Sequence, residues 1–552
     1  MVTPVVSVVI PVHNAMPYLL KGIESLLGQS LGKERIEVIA VDDGSTDGSG
    51  EALDRFAAAE PDCVRVVHQE ASGTPSVPRN RGIELARGKY VFFLDADDYL
   101  GVEALERMVE IAEENESDVV LGKLVSVNGR GVARSMFVRD QPRADLYSSR
   151  VYWNLPCLKL FRREMLETHK LRFPTDRRFI EDLLFTIQAY YHARNISVVG
   201  EYDCYYVVLR EDGGNMTSGG MKAPEHFQQS QGSHLRLVVD LVGNLVPEGP
   251  KRDFLLKRHW EVEGFNEMRR LLRDPTPEAR RERFEDLRLL LQQWYTPGSA
   301  ALLNLHRRLN YRLVLEDRLD DLLRTLEHPD DRVFSGRGDR VYLTLPDYED
   351  AVAPGPGPWV DLSESLEIRH WLKGVELTGG TLRIEGTGRM APIPSDLIEL
   401  RLEAVHSGTG ATVAVDLEHD DGHFTALFDP RAFRAGKEHW GAWRFEVVVR
   451  VGETERRAPF GSRLGGPLQG KPRPRQAVNA RRRRLVVGYT EPGKQLMLSN
   501  ERRFNPRRLA GAALRRAGLR GGKPREEAPT AVRIPMQVPR EAGANAGSPA
   551  AG

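Results

Sequence analysis

A chain of 552 residues is too long for one hydrophobic core and divides into two to four domains. Its 78 Lys and Arg balance 78 Asp and Glu, so no net field selects nucleic acid as a partner. Three cysteines (Cys63, Cys157, Cys204) form neither a disulfide framework nor a metal-ligand spacing and read as reduced core residues of a cytoplasmic protein.

VVSVVIPV (Val5–Val12) is a continuous β-branched run, the pattern of a strand covered on both faces. The start, MVTPVVSVVIPVHN, lacks a basic n-region and reads as that buried strand rather than a secretory leader. YLLKGIESLLGQSL places Leu19, Leu20, Ile23, Leu26 and Leu27 at helical spacing. IEVIAVDDGS (Ile36–Ser45) is a second buried strand that runs into acid. TDGSGEALDRFAAA is a helix with polar starters at Thr46 and Asp47. CVRVVHQ is a third strand, SVPRNRGIELARG a helix ending on Gly88, and YVFFLDADD a fourth strand. This alternation predicts a parallel sheet with right-handed crossovers.

Ligands of open parallel sheets bind beyond the carboxyl ends of the strands. Pro11–Asn14, Asp42–Asp43 and Asp95–Asp98 all fall at such ends. Asp95, Asp97 and Asp98 either hold a divalent cation or form the polar turn that stops a core strand. A strand-stopping turn accounts for one such cluster but not naturally for three.

Residues 120–225 are mixed, with FIEDLLFTIQAYYHA (Phe179–Ala193) the clearest helix. From 226 to about 330 the chain is helical, charged and Leu-rich. No a/d heptad runs for three repeats, which favours a packed helical linker over a coiled-coil oligomerisation element, although the chain is compatible with an oligomer. Residues 338–500 alternate with period two. WRFEVVVRV (Trp443–Val451) puts Trp443, Phe445, Val447, Val449 and Val451 on one face, and LVVGYTEPGKQLML reads as a hairpin turning at Pro492–Gly493. The basic run RPRQAVNARRRR is expected to interrupt this β-sandwich-like module. Between Lys471 and Arg525 there are seventeen Lys or Arg against two Glu, a local charge of +15. Within that stretch RRLAGAALRRAGLR (Arg507–Arg520) is either a basic amphipathic helix that contacts a membrane surface or polyanion, or a solvated disordered tail. The divisions are thus 1–225, 226–337, 338–500 and a basic, largely disordered tail at 501–552. No window approaches 18 uninterrupted apolar residues.

VVIPVHNAMPYLLKGIESLLGQS, VIAVDDGSTDGS, SGTPSVPRNRGIELARG, YVFFLDADDYL and FIEDLLF occur in that order, and the ordered set resembles the family 2 glycosyltransferases with the GT-A fold over residues 1 to about 215. The fold class implied is α/β: a Rossmann-like GT-A domain with a mainly parallel sheet, then a helical linker and a C-terminal β-sandwich-like domain. The resemblance implies a metal-dependent inverting sugar transfer from a UDP-sugar, with Mn²⁺ or Mg²⁺ as cofactor. By it, Asp97 touches the metal, Asp95 lies by the ribose or base, and Asp98 supports them. Asp42 contacts the base, Pro11, His13 and Asn14 line the nucleotide site, and Arg79 lies in the nucleotide pocket unless it is a surface arginine. Asp182 serves as catalytic base with Glu181 orienting it, unless both are ordinary helix-start acids. Arg210 covers the pyrophosphate from a loop hinged at Gly213–Gly214. His13 stands where relatives often carry Tyr, and Ala71 where many carry Asn.

The layout is similar to bacterial enzymes that decorate wall teichoic acids. That implies transfer of N-acetylhexosamine to an anionic polymer or other cell-surface glycan in the cytoplasm, with peripheral contact at the inner membrane face through the basic tail. A nucleotidyltransferase is disfavoured because PVHNAMPYLLKG has no Gly-rich loop near the first strand. A nucleic-acid binder is disfavoured because the basic segment lacks interleaved aromatics. The remaining alternative is a catalytically inactive transferase-like scaffold whose β module binds glycan or protein.

Overall fold

The apolar runs of the first third become the centre of one sheet. In the computed structural model, which describes residues 3–213, 215, 233–378, 380–434, 440–465, 476–480, 483–490 and 495–502, the chain forms two compact units that divide between Leu326 and Glu327. The first begins with β1 (Val6–Val12), α1 (Tyr18–Leu27), β2 (Ile36–Asp43), α2 (Ser49–Ala59), β3 (Val64–Gln69), α3 (Ser76–Leu85) and β4 (Tyr90–Phe93). It continues with β5 (Tyr99–Leu100), α4 (Ala104–Asn115), β6 (Val119–Val127), β7 (Lys159–Arg162), α5 (Arg163–Thr168), α6 (Glu181–His192) and β8 (Ile196–Val208). The sheet order is β3-β2-β1-β4-β7-β6-β8-β5.

The first four strands are mutually parallel, as expected. Beyond them β7 runs antiparallel to both β4 and β6, and β5 antiparallel to β8, so the sheet is mixed on that side. Because β7 is antiparallel to β6, the chain re-enters the sheet at the end where β6 leaves it, which requires no crossover. Two local readings also change. Helix α2 starts at Ser49, later than the polar pair Thr46–Asp47, and Asp47 accepts from the Ser49 amide at 3.0 Å and the Met16 amide at 2.8 Å. Helix α3 stops at Leu85, short of Gly88. A Cβ on Gly88 would sit 2.6 Å from the Ser7 amide nitrogen, so this glycine permits a close approach to β1 rather than ending a helix.

A buried ionic anchor closes the far side. Asp118 lies under Arg162 (2.7 Å) and Arg194 (2.9 Å). Burial pushes its carboxyl up, but hydrogen bonds from Arg194 and Arg162 outweigh that and hold it below the usual range. Its stabilisation is therefore present above the unfolded Asp value and lost as pH falls through the depressed folded one. Asp118→Ala is expected to cost about 3–5 kcal/mol at neutral pH, less under acid, because it strands a buried arginine; urea titrations at two pH values measure this.

The helical segment packs within the same unit. It contains α7 (His234–Leu245), α8 (Pro250–His259), a π turn (Trp260–Gly264), α9 (Phe265–Leu271), α10 (Pro277–Trp294), α11 (Pro297–Leu302), α12 (Leu305–Leu315) and α13 (Leu319–Glu327). Ser233, Thr276, Thr296 and Asn304 each cap a helix through the side-chain oxygen. His259 Nε2 lies 2.8 Å from the Tyr152 hydroxyl, tying these helices to the loop before β7.

The second unit is antiparallel and its strands begin at Val333, before the expected 338. Trp443, Phe445, Val447, Val449 and Val451 all lie in its core, the face predicted by the alternation. The basic run does not interrupt the module: Gln476–Ala480 pairs with Arg483–Thr490, which pairs with Gln495–Arg502. Gln476–Ala480, the edge strand of that sheet, is itself uncharged, and Arg483 and Arg484 open the strand beside it. The hairpin turn Pro492–Gly493, Gly214 and the tail from 503 lie outside the described residues. Among the described residues no helix is long and apolar enough to cross a membrane.

Candidate active site

Three strand ends converge on one edge of the first sheet. β1 runs into His13–Asn14, β2 ends on Asp42–Asp43, and β4 runs into Asp95–Asp98. The strand order reverses direction at β1, the kind of position where the loops of an open sheet part around a ligand.

Arg79 ties the acidic motifs together. From α3 its guanidinium, 7 % exposed, donates through Nη2 to Asp95 Oδ1 at 2.8 Å and through Nη1 to Glu181 Oε1 at 3.1 Å. It is no surface arginine. Its charge is committed to two carboxylates, one from each motif, and its guanidinium carbon lies 5.3 Å from the Phe173 ring centroid.

Within Asp-Ala-Asp-Asp each acid differs. Asp98 is buried and accepts from the Val208 amide at 2.7 Å, pinning β8 to the cluster. Burial, then the charges of Asp97 and Asp95, push its carboxyl well up. Asp97 Oδ2 accepts from Asn215 Nδ2 at 2.6 Å, and burial followed by the charge of Asp95 pushes its carboxyl up to about 6. Burial and crowding of the carboxyls thus disfavour the charged form of Asp97 and Asp98, while Asp95 is paired with Arg79. Among the described residues no three His, Cys, Asp or Glu side chains surround one metal position. A hard cation that takes its other ligands from phosphate and water fits this donor set; a fully protein-caged ion does not.

The β2 acids divide by strand pleat, since adjacent side chains point to opposite faces. Asp42 turns towards α2, where Oδ2 pairs with His68 Nδ1 at 2.9 Å and Oδ1 accepts from the Ser45 amide at 3.0 Å. Asp42, the expected base contact, thus has both carboxylate oxygens hydrogen-bonded within the protein. Asp43, which sequence reasoning passed over, accepts from the amide and hydroxyl of Ser72 at 3.0 and 2.8 Å and from Gln69 at 2.6 Å. The exposed His13 ring sits beside it, with Nδ1 2.8 Å from the Asp43 carbonyl oxygen.

Asn14 adopts φ 50°, and its Oδ1 accepts from the Thr46 amide at 2.8 Å, clasping the β1 and β2 loops. Pro11 lies one step behind the edge, opposite Val41. Arg210 ion-pairs with Asp212, donates to the Asn14 carbonyl at 3.3 Å and lies over Tyr18. Asn215 accepts from the Arg210 amide at 2.7 Å, so one side chain links this segment to Asp97.

Glu181 and Asp182 open α6 directly after Ile180, a β-branched residue held at φ 60°. Such a residue is strained there by roughly 1–3 kcal/mol, and no sequence pattern announces it. Burial, then the charge of Asp182, push the Glu181 carboxyl up to about 7. Burial also raises Asp182, against the opposing charge of Arg79. A carboxylate lifted towards neutrality is a better proton acceptor.

Residues 7–170 match Glycosyl transferase family 2, and residues 231–326 match the Glycosyl transferase TarS linker domain. Over 484 residues the chain is 31% identical to the poly(ribitol-phosphate) beta-glucosyltransferase of Bacillus spizizenii, covering 83% of this chain and 72% of that protein. It is 34% identical over 265 residues to the poly(ribitol-phosphate) beta-N-acetylglucosaminyltransferase TarS of Staphylococcus aureus, covering 47% of this chain and 45% of TarS. A crystal structure of S. aureus TarS 1-349 with UDP-GlcNAc is similar at a TM-score of 0.52 and 27% identity, covering 62% of this chain and 96% of that one. A longer S. aureus TarS structure shares the fold over 91% of this chain and 86% of its own at a TM-score of 0.56 and 22% identity. The chain is an enzyme and belongs to the family 2 glycosyltransferases, in the group of poly(ribitol-phosphate) glycosyltransferases that carry a TarS linker domain.

Proposed function

We propose that this enzyme moves a hexose or N-acetylhexosamine from a UDP-sugar to a ribitol hydroxyl of poly(ribitol phosphate), with inversion at the anomeric carbon. The observation that carries the reading is Arg79, which holds Asp95 and Glu181 at one sheet edge and so brings the donor and acceptor motifs together. Asp43 and His13 take the uracil end, Asp95 the ribose side, and Arg210 the diphosphate. Asp182 accepts the acceptor hydroxyl proton as that oxygen bonds to the anomeric carbon. The bond from that carbon to the diphosphate oxygen breaks, and UDP leaves with the electron pair. Glu181, fixed by Arg79, orients the base. Asp97 would hold a Mg²⁺ or Mn²⁺ ion, which neutralises charge on the departing diphosphate when bound. Relatives named for poly(ribitol phosphate) support the acceptor, and the UDP-GlcNAc complex of TarS supports the donor. The work is placed in the cytoplasm, with the basic tail against the anionic inner leaflet or the polymer itself.

Asp97→Asn is expected to lower kcat/KM by at least about 10²-fold, with the fold intact by circular dichroism. EDTA is expected to stop the wild-type enzyme, and added Mn²⁺ or Mg²⁺ to restore it. UDP release that is indifferent to chelation and to Asp97→Asn sinks the metal part of this reading.

A further inference from the structure

The second unit carries a concavity of about 790 Å³ on the sheet formed by Glu367–Leu377, Leu382–Ala391, His423–Phe428 and His419–Asp420. Strand pairing sets its floor. Arg369 stands directly opposite Arg389 and Trp371 opposite Thr387, so both arginines and the indole share one face. The alternate residues Leu372 and Met390 point into the core. One wall is the turn Asp421–Gly422, at φ 45° and 76° as a two-residue hairpin loop requires. Arg389 holds that turn down, donating to the Asp421 carbonyl at 3.1 Å and to its carboxylate. The Ser395 hydroxyl donates to Asp421 Oδ1 at 3.0 Å, which ties the turn to the second wall, Pro392–Asp396. The concavity is therefore built by the protein's own hydrogen bonds.

Trp371 is half-buried at this face. Beside it the Gly465 amide donates to the Leu372 carbonyl at 2.9 Å. A Cβ at Gly465 would lie 3.3 Å from Trp371 Cβ, so the glycine puts no side chain over the indole. Asp396 and Asp420 are exposed, and their carboxylates make no hydrogen bond or ion pair among the described residues. Two arginines against three aspartates give the lining a net charge of −1, which disfavours a phosphodiester. A neutral pyranose fits better. Its C–H face can lie on the indole, and its hydroxyls, donors and acceptors at once, can bridge guanidinium and carboxylate. We propose that this concavity is a non-catalytic saccharide site that holds a hexopyranose already attached to the polymer. That the pyranose is one the enzyme itself has transferred rests on the functional reading above. A partly glycosylated chain tethered there keeps its unmodified units at high effective concentration.

The test is calorimetry on the full chain without UDP-sugar, using methyl β-glucoside, methyl β-N-acetylglucosaminide and, as the anionic contrast, ribitol phosphate. At least one glycoside is expected to bind, and Trp371→Ala to weaken that binding about tenfold. kcat/KM for UDP release with short ribitol-phosphate oligomers should not change, because Trp371 lies outside the transferase unit. Gly465→Leu covers the event that Trp371→Ala does not fold; its side chain would lie on the indole and cause the same loss. No glycoside binding, or binding that is unchanged in whichever variant folds, overturns the inference. Ribitol phosphate bound more tightly than either glycoside, and lost with Trp371→Ala, makes this a polyanion site and overturns it too. Failure of poly(ribitol phosphate) as an acceptor overturns instead the functional reading above, since glycoside binding is measured without transfer.

Discussion

Asp182→Asn lowers kcat for sugar transfer by about 10²–10⁴-fold, the range expected for loss of a general base, while UDP-sugar affinity stays close to that of the wild type. The amide keeps the shape of the side chain and can still accept from the Leu183 amide, which lies 2.8 Å from Asp182 Oδ1. It cannot take a proton. Because Asp182 does not touch Asp97, the donor side stays intact, and a loss confined to kcat separates a base from a donor ligand. In the wild type, burial raises the Asp182 carboxyl. Activity therefore falls on the acid side at a pH above the ordinary aspartate value of about 3.9. Calorimetry with UDP-sugar and turnover measurements on the same preparation check both halves.

Arg79→Met has the second large effect, on stability and activity together. It leaves Glu181 buried with no cation beside it and frees Asp95 to repel the rest of its cluster. Breaking a buried pair from one side costs about 3–5 kcal/mol, to be read from urea denaturation. The deficit should shrink in acid. Glu181 already sits at about 7 when folded, above its unfolded value of about 4.3. The folded state then binds the proton more tightly, and stability from this group falls as pH rises between those values. Without Arg79 the folded value climbs further, so the variant loses more at pH 8 than at pH 5. Arg79→Lys should rescue little, since one ammonium cannot span two carboxylates as the fork of a guanidinium does.

The parallel half of the first sheet was legible because strands covered on both faces appear as unbroken apolar runs, and their acidic ends stand out against them. The same property hid how the two acids of β2 divide between its faces. All eight residues from Ile36 to Asp43 are buried, so no polar alternation sets the phase of the pleat, and Asp42 and Asp43 look equivalent in sequence. Asn215 was missed for a different reason. It reaches Asp97 across a long stretch of chain and carries no local pattern. The strain at Ile180 depends on the tertiary packing that holds α6 in place, and residue type argues against it. The basic run near the C-terminal end was expected to interrupt the β module because of its charge, yet the uncharged QAVNA within it forms a strand.

The most direct test of the account is transfer of radiolabelled sugar from a panel of UDP- and GDP-sugars onto purified poly(ribitol phosphate), run with the wild-type enzyme and Asp182→Asn. Incorporation from one UDP-sugar by the wild type, lost in Asp182→Asn although that variant still binds the donor, is the predicted result. Incorporation that survives in Asp182→Asn, or a wild type that uses only GDP-sugars, would contradict the account.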